Sequence, residues 1–176
     1  MREAVDEARL RAFMSAIAVE AREPGRIYLA GGASAVLEHW RENTVDIDLT
    51  IIPESDRILR AIPELKERFH VNVELASPAH FVPPLRGWVD RSPFISRIGV
   101  ISFHNFDFYT QALSKLDRGH HKDLLDVAAM VRLGLVVPSR LLTLFKEVED
   151  QLYRYPAVNP PTLRAAVEQL ATGALQ

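Results

Sequence analysis

RIYLAGGASAVLEHWRENTVDIDLTII, residues 26–52, reads as strand, Gly-Gly turn, short helix and second strand. Arg26 to Ala30 is mostly apolar with β-branched and aromatic members, the composition of a buried strand. Gly31 and Gly32 end it, and without a Cβ they let a ligand approach the backbone closely. Val36, Leu37 and Trp40 recur at helical spacing, which predicts a helix from Ala33 to Trp40. The next strand carries Asp46 and Asp48 with Ile47 between them. Alternate side chains of a strand share a face, so both carboxylates point one way while Ile47, Leu49 and Ile51 enter the core.

Two carboxylates on one face repel unless a cation or basic group lies between them. A hard divalent ion such as Mg²⁺ (or Mn²⁺) takes oxygen ligands and bridges to substrate phosphates, so it suits such a pair. A Gly-Gly turn opening a helix is a natural seat for phosphate. The plainer alternative is an ordinary strand-helix-strand whose aspartates cap a loop. It accounts for a lone Asp-x-Asp, but not for a Gly-Gly turn in front of it with thirteen residues between Gly32 and Asp46. With that spacing the stretch resembles the nucleotidyltransferase (polymerase-β-like) superfamily, whose pattern is a Gly-Gly or Gly-Ser turn, a short helix and Asp-x-Asp on the next strand.

Composition sets wider bounds. A chain of 176 residues, 48% hydrophobic and 25% charged, is the size and make-up of an ordinary globular protein. No apolar run is long enough to span a membrane, and the start MREAVDEARLR is too acidic for a signal peptide. The absence of cysteine excludes disulfides and thiolate metal sites and fits a cytoplasmic protein. The net charge of −2 argues against bulk attraction to nucleic acid, and no DNA partner is expected. The charge is uneven, however: residues 81–122 carry six Lys/Arg against three acids, leaving the remainder at −5. A basic middle beside an acidic metal site suits a polyphosphate or RNA 3′-end, and is also within ordinary surface variation.

Along the chain, Val5, Leu10, Phe13, Met14 and Ile17 predict an amphipathic helix over residues 3–22. After the central unit, Ile58, Leu59, Ile62 and Leu65 predict a helix that starts at Ser55 and is divided by Pro63. Val71 to Leu75 alternates as a third strand, with Asn72 and Glu74 on one face. Prolines at 78, 83 and 84 mark a loop to about Pro93, and Arg97 to Phe103 reads as the last strand. Helices follow from 138 and from Thr162 to Leu170. The expected architecture is α/β: a small mixed sheet flanked by helices over 1–106, with a helical part over 107–176 packed on it.

The second informative stretch is DFYTQALSKLDRGHHKDLLDVAAMV, residues 107–131. It predicts two helices broken near Gly119, with Lys115, Arg118, Lys122, Asp123 and Asp126 on polar faces. Read alone, that charge set is a solvated, self-neutralising surface. Ser114-Lys115-Leu116-x-Arg118 followed by Lys122-Asp123-x-x-Asp126-Val127 nonetheless resembles a signature that follows the sheet in small bacterial nucleotidyltransferase-like proteins. Uncharacterised domains and the toxins of AbiEii-type toxin–antitoxin pairs are among them. The two motifs stand in the same order, and the resemblance covers roughly residues 26–135.

The resemblance implies Mg²⁺-dependent transfer of a nucleoside monophosphate from an NTP to a hydroxyl of an RNA (such as tRNA) or protein acceptor, with an antitoxin as a further partner. Asp46 and Asp48 would bind metal, with Glu74 as a third carboxylate that helps bind it or accepts the acceptor's proton. The family pattern has Asp at that position, and Asn72 is the only other polar candidate on the face. Gly31, Gly32 and Ser34 would cradle the triphosphate. Lys115 would lie near the phosphates, with Arg118 and with Asp123 orienting either cation or holding the two helices together. His120 and His121, adjacent in a loop, are left out of the site. The alternative is a catalytically inactive module that binds nucleotide, RNA or a partner.

Overall fold

The computed structural model describes residues 4–174, so residue 3 of the predicted first helix lies outside the described residues. The chain forms two compact units. One contains the residues up to Ser77 together with Ser92–Asn105; the other contains Pro78–Arg91 and the residues from Phe106 on.

The first unit is a five-stranded mixed sheet with helices on it, as the sequence pattern predicts. Its strands are β1 (Gly25–Ala30), β2 (Asp46–Ile52), β3 (Asn72–Glu74), β4 (Phe94–Ile98) and β5 (Ile101–Asn105), in the order β3-β2-β1-β5-β4. The β1–β2 and β4–β5 pairs are antiparallel, whereas β5 runs parallel to β1 and β3 runs parallel to β2. Three helices belong to this unit: α1 (Glu7–Glu20), α2 (Gly31–Leu37) and α3 (Asp56–Phe69). Ile27, Leu29, Ile47, Leu49 and Phe103 face Phe13, Ile17, Ile58 and Ile62 in one apolar cluster. Burying each such side chain contributes roughly 1.5–3 kcal/mol, so this face of the sheet holds the unit together.

Several local expectations need correction. Val5 is not helical: Asp6 caps α1 by accepting from Arg9 N, and Val5 instead forms a bridge with Thr44. The helix after the glycines ends at Leu37, because His39 takes a left-handed conformation and turns the chain before Trp40. Pro63 does not divide α3, which runs unbroken from its Ser55 cap. Proline deletes one backbone bond, and the buried Ile58, Ile62 and Leu65 on either side hold the helix together across it. The third strand is only Asn72–Glu74, and Leu75 lies outside it, exposed. The supposed last strand is a hairpin, since Gly99 at φ +59° begins a two-residue turn between β4 and β5.

The second unit is helical. Its main helices are α5 (Phe108–Arg118), α6 (His121–Arg132), α7 (Pro138–Lys146) and α8 (Pro160–Ala171). The expected loop after Pro78 holds one turn of 3-10 helix (Pro78–His80) and the short α4 (Trp88–Arg91). Trp88 stacks on Phe106 with centroids 4.5 Å apart. Arg91 closes on the fully buried Asp107 through two bonds, Nη2 to Oδ2 at 2.8 Å and Nε to Oδ1 at 3.1 Å. Asp107 in turn caps α5 by accepting from Tyr109 N, Thr110 N and Thr110 Oγ1. One carboxylate therefore starts the helix and anchors the segment before the hairpin. Among the described residues no helix is long and apolar enough to cross a membrane.

Candidate active site

The turn between β1 and α2 is built around its two glycines. Gly31 has φ +58°, a backbone conformation that side chains with a Cβ rarely adopt. The register pairs Ala30 with Asp48, which brings the Asp48 carboxylate back over the turn. A Cβ on Gly31 would overlap Asp48 Oδ2, and one on Gly32 would stand 2.7 Å from Thr44 Cβ. The room left by the missing side chains is thus filled by Asp48 and Thr44. Thr44 also donates its hydroxyl to the Asp46 carbonyl at 3.0 Å, which fixes the approach to β2. Ser34 is fully buried and donates its hydroxyl to the Leu29 carbonyl at 3.0 Å, tying α2 to the strand before it.

On the other side of β2, the parallel register sets Asp46 beside Asn72 and Asp48 beside Glu74. Partners across a ladder share a face, so all four polar side chains lie on the same side of the sheet. The Asn72 amide joins two of them. Its Nδ2 donates to Asp46 Oδ1 at 2.7 Å and to Glu74 Oε1 at 3.2 Å. Asn72 is buried while Glu74, on the edge strand, is exposed.

Among the described residues no three His, Cys, Asp or Glu side chains are grouped so as to hold a metal ion. Mg²⁺ does not require such a cage, because it is commonly held by one or two carboxylates while water and substrate phosphates complete its shell. Asp46 and Asp48, hard oxygen donors in alternate positions of one strand, fit that mode.

The remaining predicted site residues belong to the helical unit. Gly119, left-handed at φ +64°, ends α5, and α6 packs back on it. Lys115 Nζ lies 2.6 Å from Asp126 Oδ2 and 3.3 Å from Asp123 Oδ1, and Arg118 Nη2 lies 2.5 Å from Asp123 Oδ1. Lys115, Asp123 and Asp126 are only 6%, 6% and 2% exposed, so this is a buried, self-neutralising cluster and not the solvated surface that composition alone suggests. Asp126, part of the charge set and motif read from the sequence but given no site role there, is a full member of this cluster. The signal was present in its spacing of three from Asp123, which puts both carboxylates on one helix face. On the same helix α5, partial burial pushes the Asp117 carboxyl above the usual aspartate range. His120 and His121 are exposed.

The structure thus gathers Gly31, Gly32, Ser34, Asp46, Asp48 and Glu74 in the α/β unit, and Lys115, Arg118 and Asp123 in the helical one. No curated protein and no solved structure matches the chain. The model of a family described as nucleotidyltransferase of unknown function (DUF6036) matches residues 8–159, which is most of both units, and the chain belongs to that nucleotidyltransferase family.

Proposed function

We propose that the protein moves a nucleoside monophosphate from an NTP to a hydroxyl of an RNA or protein acceptor, at the carboxylate face of β2 and β3. The observation that supports this reading is the contact of the Asp48 carboxylate with the Gly31 turn, the two groups to which the reading gives metal and phosphate. Mg²⁺ or Mn²⁺, held by Asp46 and Asp48 with Glu74 beside them, would offset the charge of the triphosphate. Gly31 and Gly32, with Ser34 tying α2 to the end of β1, would set the position of the phosphates. Glu74, exposed on the edge strand, accepts the proton of the attacking hydroxyl as the bond to the α-phosphorus forms and pyrophosphate departs.

A place in a toxin–antitoxin pair, implied by the resemblance to AbiEii-type toxins, belongs to the same proposal and predicts a small partner that blocks transfer. A second reading, a nucleotide-binding module without turnover, draws on the lack of a three-ligand metal cluster among the described residues. Incubation with each labelled NTP, Mg²⁺ or Mn²⁺, total RNA and lysate separates the two. Label in a macromolecular product that disappears in Asp46→Asn supports the enzyme. Bound but untransferred NTP supports the silent module.

A further inference from the structure

We propose that Asn72 is the positioning residue of the carboxylate site, setting the attitude of Asp46 and Glu74 toward a cation. The proposal rests on the functional reading above. That reading has support apart from this hydrogen bonding, because the family match spans the strands concerned.

Asn72 and Asp46 are partners across the parallel β2–β3 ladder, and Glu74 is the next residue on the same face of β3. One amide nitrogen carries two N–H groups, and here it has two acceptors, Asp46 Oδ1 at 2.7 Å and Glu74 Oε1 at 3.2 Å. The two carboxylates are therefore held through one oxygen each, which leaves the second oxygen of each for another partner. Asn72 is only 7% exposed, so its amide is confined to this position. Hydrogen bonds to ionised carboxylates are among the stronger ones, and a buried donor bridging two of them fixes both side chains.

The choice of a neutral group matters. A lysine or arginine between Asp46 and Glu74 would offset their repulsion but would also neutralise the charge that attracts the cation. An aspartate would add a further carboxylate and remove the donor these two share. An amide orients without neutralising, as outer-sphere partners of metal-binding carboxylates do. Glu74 sits on a three-residue edge strand with its side chain exposed, so it needs such a tether more than Asp46 does.

The test compares the wild-type chain with Asn72→Leu, which keeps the volume and removes both donors. Mn²⁺ is the probe, read by calorimetry and by the rise in melting temperature it induces. The metal-free melting temperature serves as the folding control. Outer-sphere substitutions lower metal affinity by about 10- to 100-fold, and a fall of that size is expected for Asn72→Leu. A residue that merely fills the strand would lower the melting temperature equally with and without Mn²⁺; a positioning residue shrinks the Mn²⁺-induced rise itself. If Asn72→Leu does not fold, Asn72→Ser takes its place. It keeps one donor for two acceptors, and a weakened Mn²⁺ affinity is again expected. Unchanged Mn²⁺ affinity in the folded variant overturns the assignment of Asn72 and leaves the carboxylate site standing. Wild-type protein that binds no Mn²⁺ overturns both.

Discussion

The Asp48 carboxylate rests on Gly31, in the space a Cβ would occupy. Gly31→Ala therefore meets two separate penalties. The left-handed backbone costs an alanine about 1–2 kcal/mol, and forcing a methyl against the carboxylate adds the roughly 1–3 kcal/mol typical of overpacking. In an Asp48→Ala background the second penalty disappears while the first remains. Urea unfolding of the four proteins in this cycle should show a coupling of at least about 0.5 kcal/mol, the level at which touching residues depart from additivity. Additive losses would mean that Asp48 does not rest on the turn.

The proposed chemistry separates binding from turnover. Mg²⁺ or Mn²⁺ should strengthen NTP binding to the wild-type chain, and Asp48→Asn should abolish that enhancement while leaving the fold intact. Glu74→Gln should bind NTP nearly as before and lose at least about a hundredfold in transfer rate, the low end of general-base assistance. Titration with a non-hydrolysable NTP, with and without metal, reads the first effect; label transfer reads the second. Equal NTP affinity with and without metal would remove the support for Asp46 and Asp48 as ligands.

Lys115 is held between Asp123 and Asp126 in the interior of the helical unit. Lys115→Met leaves two buried carboxylates with one fewer cation, and breaking a buried pair in this way costs about 3–5 kcal/mol. Replacing Lys115, Asp123 and Asp126 together by apolar residues of similar volume should cost less than Lys115→Met alone, since no uncompensated buried charge remains. Chemical denaturation of the single and triple variants decides this. A loss within about 0.5 kcal/mol for Lys115→Met, the scale of a surface change, would contradict the burial.

What could be read from sequence followed periodicity and punctuation. Asp46 to Ile52 alternates cleanly, so the strand and the common face of its carboxylates were legible residue by residue. Gly119 marked the break between α5 and α6 for the same reason. The hairpin was hidden because Arg97 to Phe103 is apolar enough to read as one strand. Only the conformation of Gly99 cuts it, and the preceding Phe94 to Ile98 is a half-exposed edge with little pattern. Asn72 stands out in the sequence only as a polar residue on the face, since its meaning depends on which residue of β2 lies opposite it. The same holds for Lys115: charges on a helix read as surface until the neighbouring helix covers them.

Asp117 offers a pH test. Burial raises its folded-state pKa above the unfolded value, so the folded protein holds this proton more tightly. Its contribution to stability is full below the unfolded pKa and is lost as pH rises through the raised folded one. Asp117→Asn, which cannot ionise, should gain on the wild type as pH climbs from the unfolded carboxyl range toward neutrality, and the gain should then level off. Melting temperatures of both proteins across that range measure it. A difference that does not change with pH would show that Asp117 titrates alike in both states.

The order in which the chain visits its two units constrains how it can be made. After β3 it leaves the sheet for Pro78–Arg91, then returns to supply β4 and β5. β1 is complete at Ala30, yet its parallel partner β5 begins only at Ile101, with seventy residues in between. A chain emerging from the ribosome therefore exposes one edge of its central strand until the hairpin arrives, and unpaired edges invite pairing with other chains. Neither unit can be produced as a single uninterrupted fragment. Cutting after Ser77 deletes the two strands that cover that edge, and starting at Phe106 deletes the Arg91 that binds Asp107.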